Sequence, residues 1–253
     1  MDDALIERIR ITSRGYELSA SGVLSMATFL RYLEHLRWST IVSSEKLPLR
    51  QFWALGVVRS QAVEIYDQVS FGAELELSMW LARVGRSSMD FSHDITRATD
   101  GSLVGRSTAT IVALDSDRRP AVIGDGARAY VLAREAIVPD RFDGAPAPAH
   151  AWKRRVELRP SDHDLQQHVN HARYAELVDD TRLLAAAADG YGPGYYGGHV
   201  RRLSISYEQE SRVGDDVVAH TFRTPDESRS VDVILTKGGG TVVTRARLLL
   251  EGG

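Results

Sequence analysis

A chain of 253 residues, 43% hydrophobic and 26% charged, has the make-up of a soluble globular protein and room for one large domain or two of ordinary size. Its net charge of −3 gives no global attraction to nucleic acid or to an anionic membrane, so neither is expected as a partner and small-molecule chemistry is the favoured class. The absence of cysteine excludes disulfides, thiolate metal sites and a cysteine nucleophile, and accords with a reducing, cytoplasmic setting.

The opening MDDALIERIRITSRG mixes charged and apolar residues, unlike the basic start and apolar core of a secretory signal. No apolar run approaches the roughly 18 residues that a membrane span needs. Arg8–Thr12 alternates as a short strand, and Ser25–Ile41 carries Phe29, Leu30, Leu33 and Leu36 at helical spacing. Strand-like runs follow near Val57–Val69, Glu74–Val84, Ser88–Ala98 and Leu103–Leu114. Val138–His150, with Pro139, Pro146 and Pro148, reads as an extended linker outside any sheet, because proline fixes φ and removes a donor. Beyond it, Lys153–Leu158 is a strand and Asn170–Ala187 a helix with Tyr174, Leu177, Val178 and Leu184 on one face. Strands recur near Val200–Glu208, Asp216–Thr224, Ser228–Lys237 and Thr241–Leu250, the last pair joined by the turn glycines Gly238, Gly239 and Gly240.

The two halves read alike. Asp164 and Tyr174 follow Ser19 and Phe29 by 145 positions, and Val200, Arg201 and Gly214 follow Val58, Arg59 and Gly72 by 142. The difference falls between helix and second strand, where a change of length costs little. One strand, a long helix and four antiparallel strands, occurring twice, is an α+β duplication. The boundaries drawn are residues 1–125 for the first domain, 126–150 for the linker and 151–253 for the second domain.

The distinctive stretch is SDHDLQQHVNHARY, Ser161–Tyr174. It sets Asp164, Gln166, His168, Asn170 and His171 within eight residues at the start of a helix. Capping the free N–H groups there needs one such residue, not five, so the surplus calls for a site. The pattern Asp–x–x–x–His–Val–Asn–x–x–x–Tyr resembles the motif of the acyl-acyl carrier protein thioesterases of plant and bacterial type, which are tandem hotdog proteins carrying it in the C-terminal hotdog. The resemblance implies two fused hotdog domains, an internal pseudo-dimer expected as a monomer or as a homodimer, with catalysis in the second. It implies Asp164 and His168 as catalytic residues, with Gln166 standing where the family has Asn. Glu210, in the context Tyr207–x–x–Glu210, falls on the family's further acidic residue, and Ser211 falls where plant members can have Cys. His171 also matches the histidine of small single-hotdog acyl-CoA thioesterases, so the carrier is acyl carrier protein or CoA, with acyl carrier protein preferred. No metal and no cofactor is implied.

The chemistry agrees with this resemblance. A leaving thiol, of reference pKa about 8.5, departs with less help than an alcohol, so one carboxylate can serve as the base. Glu210 is expected as that base or the group that orients it, His168 and Gln166 as groups positioning water or carbonyl, and Asp164 as the residue fixing the loop. Asn170 and His171 are expected at the substrate, and backbone N–H groups from Val169 to His171 as oxyanion donors at the positive end of a helix.

Other readings compete. His163, His168 and His171 with Asp164 could bind a metal, although no fixed helical or strand spacing unites them. A serine hydrolase would need Gly–x–Ser–x–Gly, which is absent, and Ser92–His93–Asp94 reads as an exposed strand segment. Asp189–Gly198 is a connection or a gate. Lys153, Arg154, Arg155, Arg201 and Arg202 are a solvated strand edge or a basic patch for an acidic carrier. A hotdog dehydratase or hydratase, or a non-catalytic acyl-binding module, is the alternative to a thioesterase.

In the first half, Ser19, Val23 and Met26 stand where Asp164, His168 and His171 stand in the second, and Gln68 where Glu210 stands. Every ionisable group is replaced, so the first half is expected to lack catalysis and to keep an acyl slot, with Leu24, Met26, Phe29, Leu30 and Leu33 as its lining.

Overall fold

The computed structural model describes residues 7–43, 56–164, 167–188, 199–223 and 229–251. They form two compact units, Met1–Pro139 and Asp140–Gly253, dividing inside the stretch read from sequence as the linker.

In the first unit the elements are β1 (Glu7–Thr12), α1 (Met26–Ser43), β2 (Val57–Ile65), β3 (Glu74–Val84), β4 (Ser88–Arg97) and β5 (Leu103–Val112). Ser25 starts α1, its Oγ accepting the Thr28 N–H at 3.2 Å. Phe29, Leu30, Leu33 and Leu36 then bury one stripe of the helix almost completely. The antiparallel sheet runs β1-β3-β4-β5-β2. Leu75, Leu77 and Met79 of β3 and Met89, Phe91 and Ile95 of β4 alternate inward, as period-2 strands with one buried face require.

The second unit repeats this plan with β6 (Trp152–Val156), α2 (His171–Ala188), β7 (Val200–Tyr207), β8 (Val217–Arg223), β9 (Ser230–Lys237) and β10 (Thr241–Leu250). Its strands follow the order β7-β10-β9-β8-β6. On α2 the buried stripe is Tyr174, Leu177, Val178, Thr181 and Ala185. Leu184, expected on that face, is instead exposed, because the helical rotation past Thr181 brings Ala185 onto the stripe.

The repeat extends to single hydrogen bonds. The isolated bridge Leu18↔Leu24 has its twin in His163↔Val169. The Leu24 N–H donates to the Val69 carbonyl at 2.9 Å, and the Val169 N–H to the Ser211 carbonyl at 2.9 Å. Both pairs keep the sequence offsets, so Gln68 occupies the place of Glu210 and Ser19 that of Asp164. A 3-10 turn precedes each of these loops, Gly15–Glu17 in one unit and Pro160–Asp162 in the other. In each, an acidic side chain accepts the N–H three residues before it, Glu17 from Arg14 and Asp162 from Arg159, both at 2.8 Å.

The sequence places Ser92–His93–Asp94 on an exposed strand, and the structure corrects this: all three are buried. The cause is the segment after β5. Leu132 N–H donates to the Leu81 carbonyl at 2.9 Å, Arg134 bonds Asp94 at 3.0 Å, and the Arg134 guanidinium covers the Trp80 ring at 4.5 Å. This strap roofs the outer face of the sheet carrying Ser92 and Asp94, while His93 points to the opposite, inner face. In the second unit the same connection stays extended, held where Asp140 N–H donates to Ser204 Oγ at 2.7 Å and Arg245 donates to the Gly144 carbonyl at 3.0 Å.

Gly105 on β5 pairs with Ile65 on β2. A Cβ there would come within 2.6 Å of the Glu64 carbonyl oxygen and 2.8 Å of Ile65 Cδ1. Backbone cannot yield as a side-chain tip can, so Gly105→Ala is expected to destabilise the protein by about 1–3 kcal/mol, read as a lower midpoint in urea unfolding.

Candidate active site

The motif loop between β6 and α2 is held from several sides. Asp162, buried beneath it, pairs with Arg173 Nε at 2.9 Å. Its carbonyl accepts the Asn170 N–H at 2.9 Å. Asn170 in turn caps α2, its Oδ1 accepting the Ala172 N–H at 2.8 Å. The Asp164 N–H donates to the His168 carbonyl at 3.0 Å, closing a tight loop that turns both side chains the same way. Gln167 adopts a positive φ of 64° within it.

The loop after β7 meets this one. The Val169 to Ser211 hydrogen bond joins them, and His163 Nε2 accepts the Val213 N–H at 3.0 Å. From β9, Lys237 Nζ reaches the Glu210 carbonyl and, at 2.9 Å, the Asp215 carboxylate. The result is a line of three side chains. His168 Nδ1 is 3.7 Å from Asp164 Oδ1, and its Nε2 is 3.6 Å from Glu210 Oε1. His168 is nearly enclosed, with 12% of its side chain exposed, whereas Glu210 at 38% opens to solvent. An imidazole set between two partly exposed carboxylates can pass or hold a proton between them.

Around this line Tyr207 Oη donates to the His171 carbonyl at 3.1 Å, and its ring meets the His171 ring edge-on at 6.0 Å. Burial pushes the Tyr174 hydroxyl up to about 12, the neighbouring Ser211 partly offsetting it, so it stays protonated beside Ser211. Among the described residues no group of three or more His, Asp or Glu side chains is placed to hold a metal.

The family model of the thioesterase-like superfamily matches residues 14–151, more than half of the chain. The chain belongs to the thioesterase-like superfamily. No curated protein matches its sequence. Among solved structures it is similar to an acyl-ACP thioesterase from Bacteroides thetaiotaomicron, with a TM-score of 0.80 and 18% identity over 97% of this chain and 98% of that one. It is equally similar to the 12:0-ACP thioesterase from Umbellularia californica, with a TM-score of 0.79 and 18% identity over 98% of this chain and 94% of that one. Two tandem hotdog domains are therefore its fold, as the motif resemblance implied.

For this superfamily member, the structure brings Asp164, His168 and Glu210 together, while Gln166 lies outside the described residues, as does Asp189–Gly198. Asn170 is a helix cap, and His171 occupies the first turn beside Tyr207. The expected oxyanion donors need correction. The N–H groups of Val169 and Asn170 are already bonded to the Ser211 and Asp162 carbonyls, because the loop needs them to hold its shape. The basic patch does not form either: Lys153, Arg154 and Arg155 are on β6 and Arg201 and Arg202 on β7, at opposite ends of the unit's strand order. Four strand spacings of about 4.8 Å separate them. Sequence reasoning missed Asp162, His163 and Lys237 as supports. Asp162 is next to the motif and reads as a cap, while Lys237 is remote in sequence and carries no local signal.

Asp162→Ala removes one carboxylate partner of a largely enclosed Arg173, leaving Glu176, and also the acceptor of the Arg159 N–H. A loss of about 1–3 kcal/mol in unfolding free energy is expected, measured by urea denaturation.

Proposed function

We propose that this protein hydrolyses fatty acyl thioesters, acyl-acyl carrier protein in preference to acyl-CoA, to the free acid and the thiol. The observation that carries this reading is the Asp164–His168–Glu210 line within a thioesterase-like chain. The similarity to two solved acyl-ACP thioesterases supports the choice of carrier.

Asp164 beside Nδ1 favours the tautomer with its proton there, which turns the Nε2 lone pair toward Glu210. A water seated beside the Glu210–His168 pair touches both groups. Glu210 takes its proton as the oxygen attacks the thioester carbonyl, and collapse of the tetrahedral intermediate expels the thiolate. The start of α2 lies next to this reaction centre, and its positive dipole end favours the developing oxyanion. Gln166 assists in positioning, as the family motif implies.

The acyl chain is assigned to the first unit, where Met26, Phe29 and Leu30 line its course. The counterpart positions there carry no base: Ser19 Oγ donates to the Val23 carbonyl at 2.9 Å, Val23 is apolar, Met26 is buried and Gln68 is exposed.

Glu210→Ala, Asp164→Ala and His168→Ala are each expected to lower turnover about a hundredfold or more, measured as thiol release, with Gln166→Ala costing less and Ser211→Ala little. Near-normal turnover by folded Glu210→Ala would remove Glu210 as the base. Met26→Trp and Met26→Ala are expected to shift the preferred acyl length, each added methylene in apolar contact contributing about 0.8 kcal/mol. A length profile unchanged in both variants would remove Met26 from the lining.

A further inference from the structure

Four side-chain hydroxyls gather in the second unit, where the first turns of α2 meet the inner face of the sheet. Tyr174 on α2 lies against Tyr207 on β7, their ring centroids 5.9 Å apart. Thr244 on β10 pairs with Tyr207, and Ser211 directly follows Glu210. Tyr207 Oη donates to the His171 carbonyl. Tyr174 Oη, Ser211 Oγ and Thr244 Oγ1 are enclosed and close no hydrogen bond, and His168 Nε2 is enclosed in the same way.

The fold does not require these hydroxyls. The two units match bond for bond at this place. The N–H groups of Glu208 and Gln209 donate to the Val243 carbonyl at 2.8 and 3.2 Å, and those of Tyr66 and Asp67 to the Val104 carbonyl at 2.7 and 3.2 Å. By the same offsets Phe29, Ile65 and Val69 stand where Tyr174, Tyr207 and Ser211 stand, and Gly105 pairs with Ile65 as Thr244 pairs with Tyr207. None of the four carries a hydroxyl, and Phe29, Ile65 and Val69 close the place with buried hydrocarbon. A buried hydroxyl without a partner costs stability. Three of them beside the candidate site, at places the twin fills without any, point to a ligand that satisfies them.

A thioester carbonyl at the candidate site needs hydrogen-bond donors, and the Val169 and Asn170 N–H groups are already committed. Tyr174 offers a phenol, a stronger donor than the alcohols of Ser211 and Thr244. Burial pushes its pKa up to about 12; Ser211 draws it back, and the charges of Asp215 and Glu210 add to the rise. The group therefore donates at neutral pH without giving up its proton. We propose that Tyr174 is a further catalytic residue, its hydroxyl donating a hydrogen bond to the thioester carbonyl oxygen. This rests on the thioesterase reading and involves the second unit alone. As the water oxygen bonds to the carbonyl carbon, the C=O π pair moves onto that oxygen and the hydrogen bond strengthens. When the C–S bond breaks, its electron pair leaves on sulfur, the C=O bond re-forms, and the Tyr174 proton is where it began. The oxygen carries its full charge only in passage, so the contact favours the transition state over bound substrate.

Tyr174→Phe gives this place the side chain that Phe29 has in the first unit, so the full-length variant tests the hydroxyl alone. Steady-state thiol release is measured on acyl carrier protein and CoA thioesters of graded chain length, and stability by urea unfolding. We expect kcat to fall about a hundredfold or more with KM within about threefold, while the urea midpoint stays level or rises. A raised KM with unchanged kcat marks a contact equal in bound substrate and transition state, and overturns the oxyanion role. Unchanged kcat and KM overturn the assignment outright. A midpoint well below that of the native protein makes the hydroxyl a structural one, and overturns it too. Each of these results leaves thioester hydrolysis standing, whereas thiol release by the native protein from no substrate overturns the thioesterase reading together with this one.

Discussion

One backbone hydrogen bond, from the Val169 N–H to the Ser211 carbonyl, joins the two loops that carry the candidate site. It ties a loop entering a helix to a loop leaving a strand, about forty residues apart in the chain. Asp164 and His168 hang from the first loop and Glu210 from the second. Without the tie, two carboxylates and an imidazole would lie on separate mobile segments, and holding them in line would carry the full entropic cost of ordering both. The remaining supports act on the same junction. His163 holds Val213, Lys237 holds the Glu210 carbonyl and Asp215, and the buried Asp162–Arg173 pair underlies the motif loop.

Much of the fold is legible in the sequence because its signals are local. Period-2 alternation in Glu74–Val84 and helical spacing in the run from Phe29 to Leu36 each reflect one buried face, and neighbours a few residues apart reveal it. The duplication is legible for a related reason: identical structural tasks recur at fixed offsets, down to the twin bonds of Leu24 and Val169. The motif residues Asp164 and His168 stand out because polar groups cluster where capping needs only one.

What stays hidden depends on distant pieces of chain. The burial of Ser92 and Asp94 is set by Leu132 and Arg134, some forty positions later, and strand alternation says nothing of a roof. Arg155 and Arg201 look like parts of one patch because β6 and β7 are successive strands, yet the sheet places them at opposite ends. The oxyanion expectation fails at Val169 and Asn170 for a physical reason of the same kind. The helix start supplies the field, but those N–H groups are committed to the bonds that shape the loop.

The twin loops also bear on how such a protein diverges. The ties that build each loop run largely through backbone N–H and carbonyl groups, which nearly any side chain preserves, whereas the proposed chemistry runs through side chains that make none of these ties. A duplicated copy can therefore carry different side chains at these places without losing its shape, as Ser19, Val23 and Gln68 do in the first unit. Under the proposed function, changes at Asp164, His168 or Glu210 would leave a chain that folds, a silent allele visible only through the reaction it fails to perform.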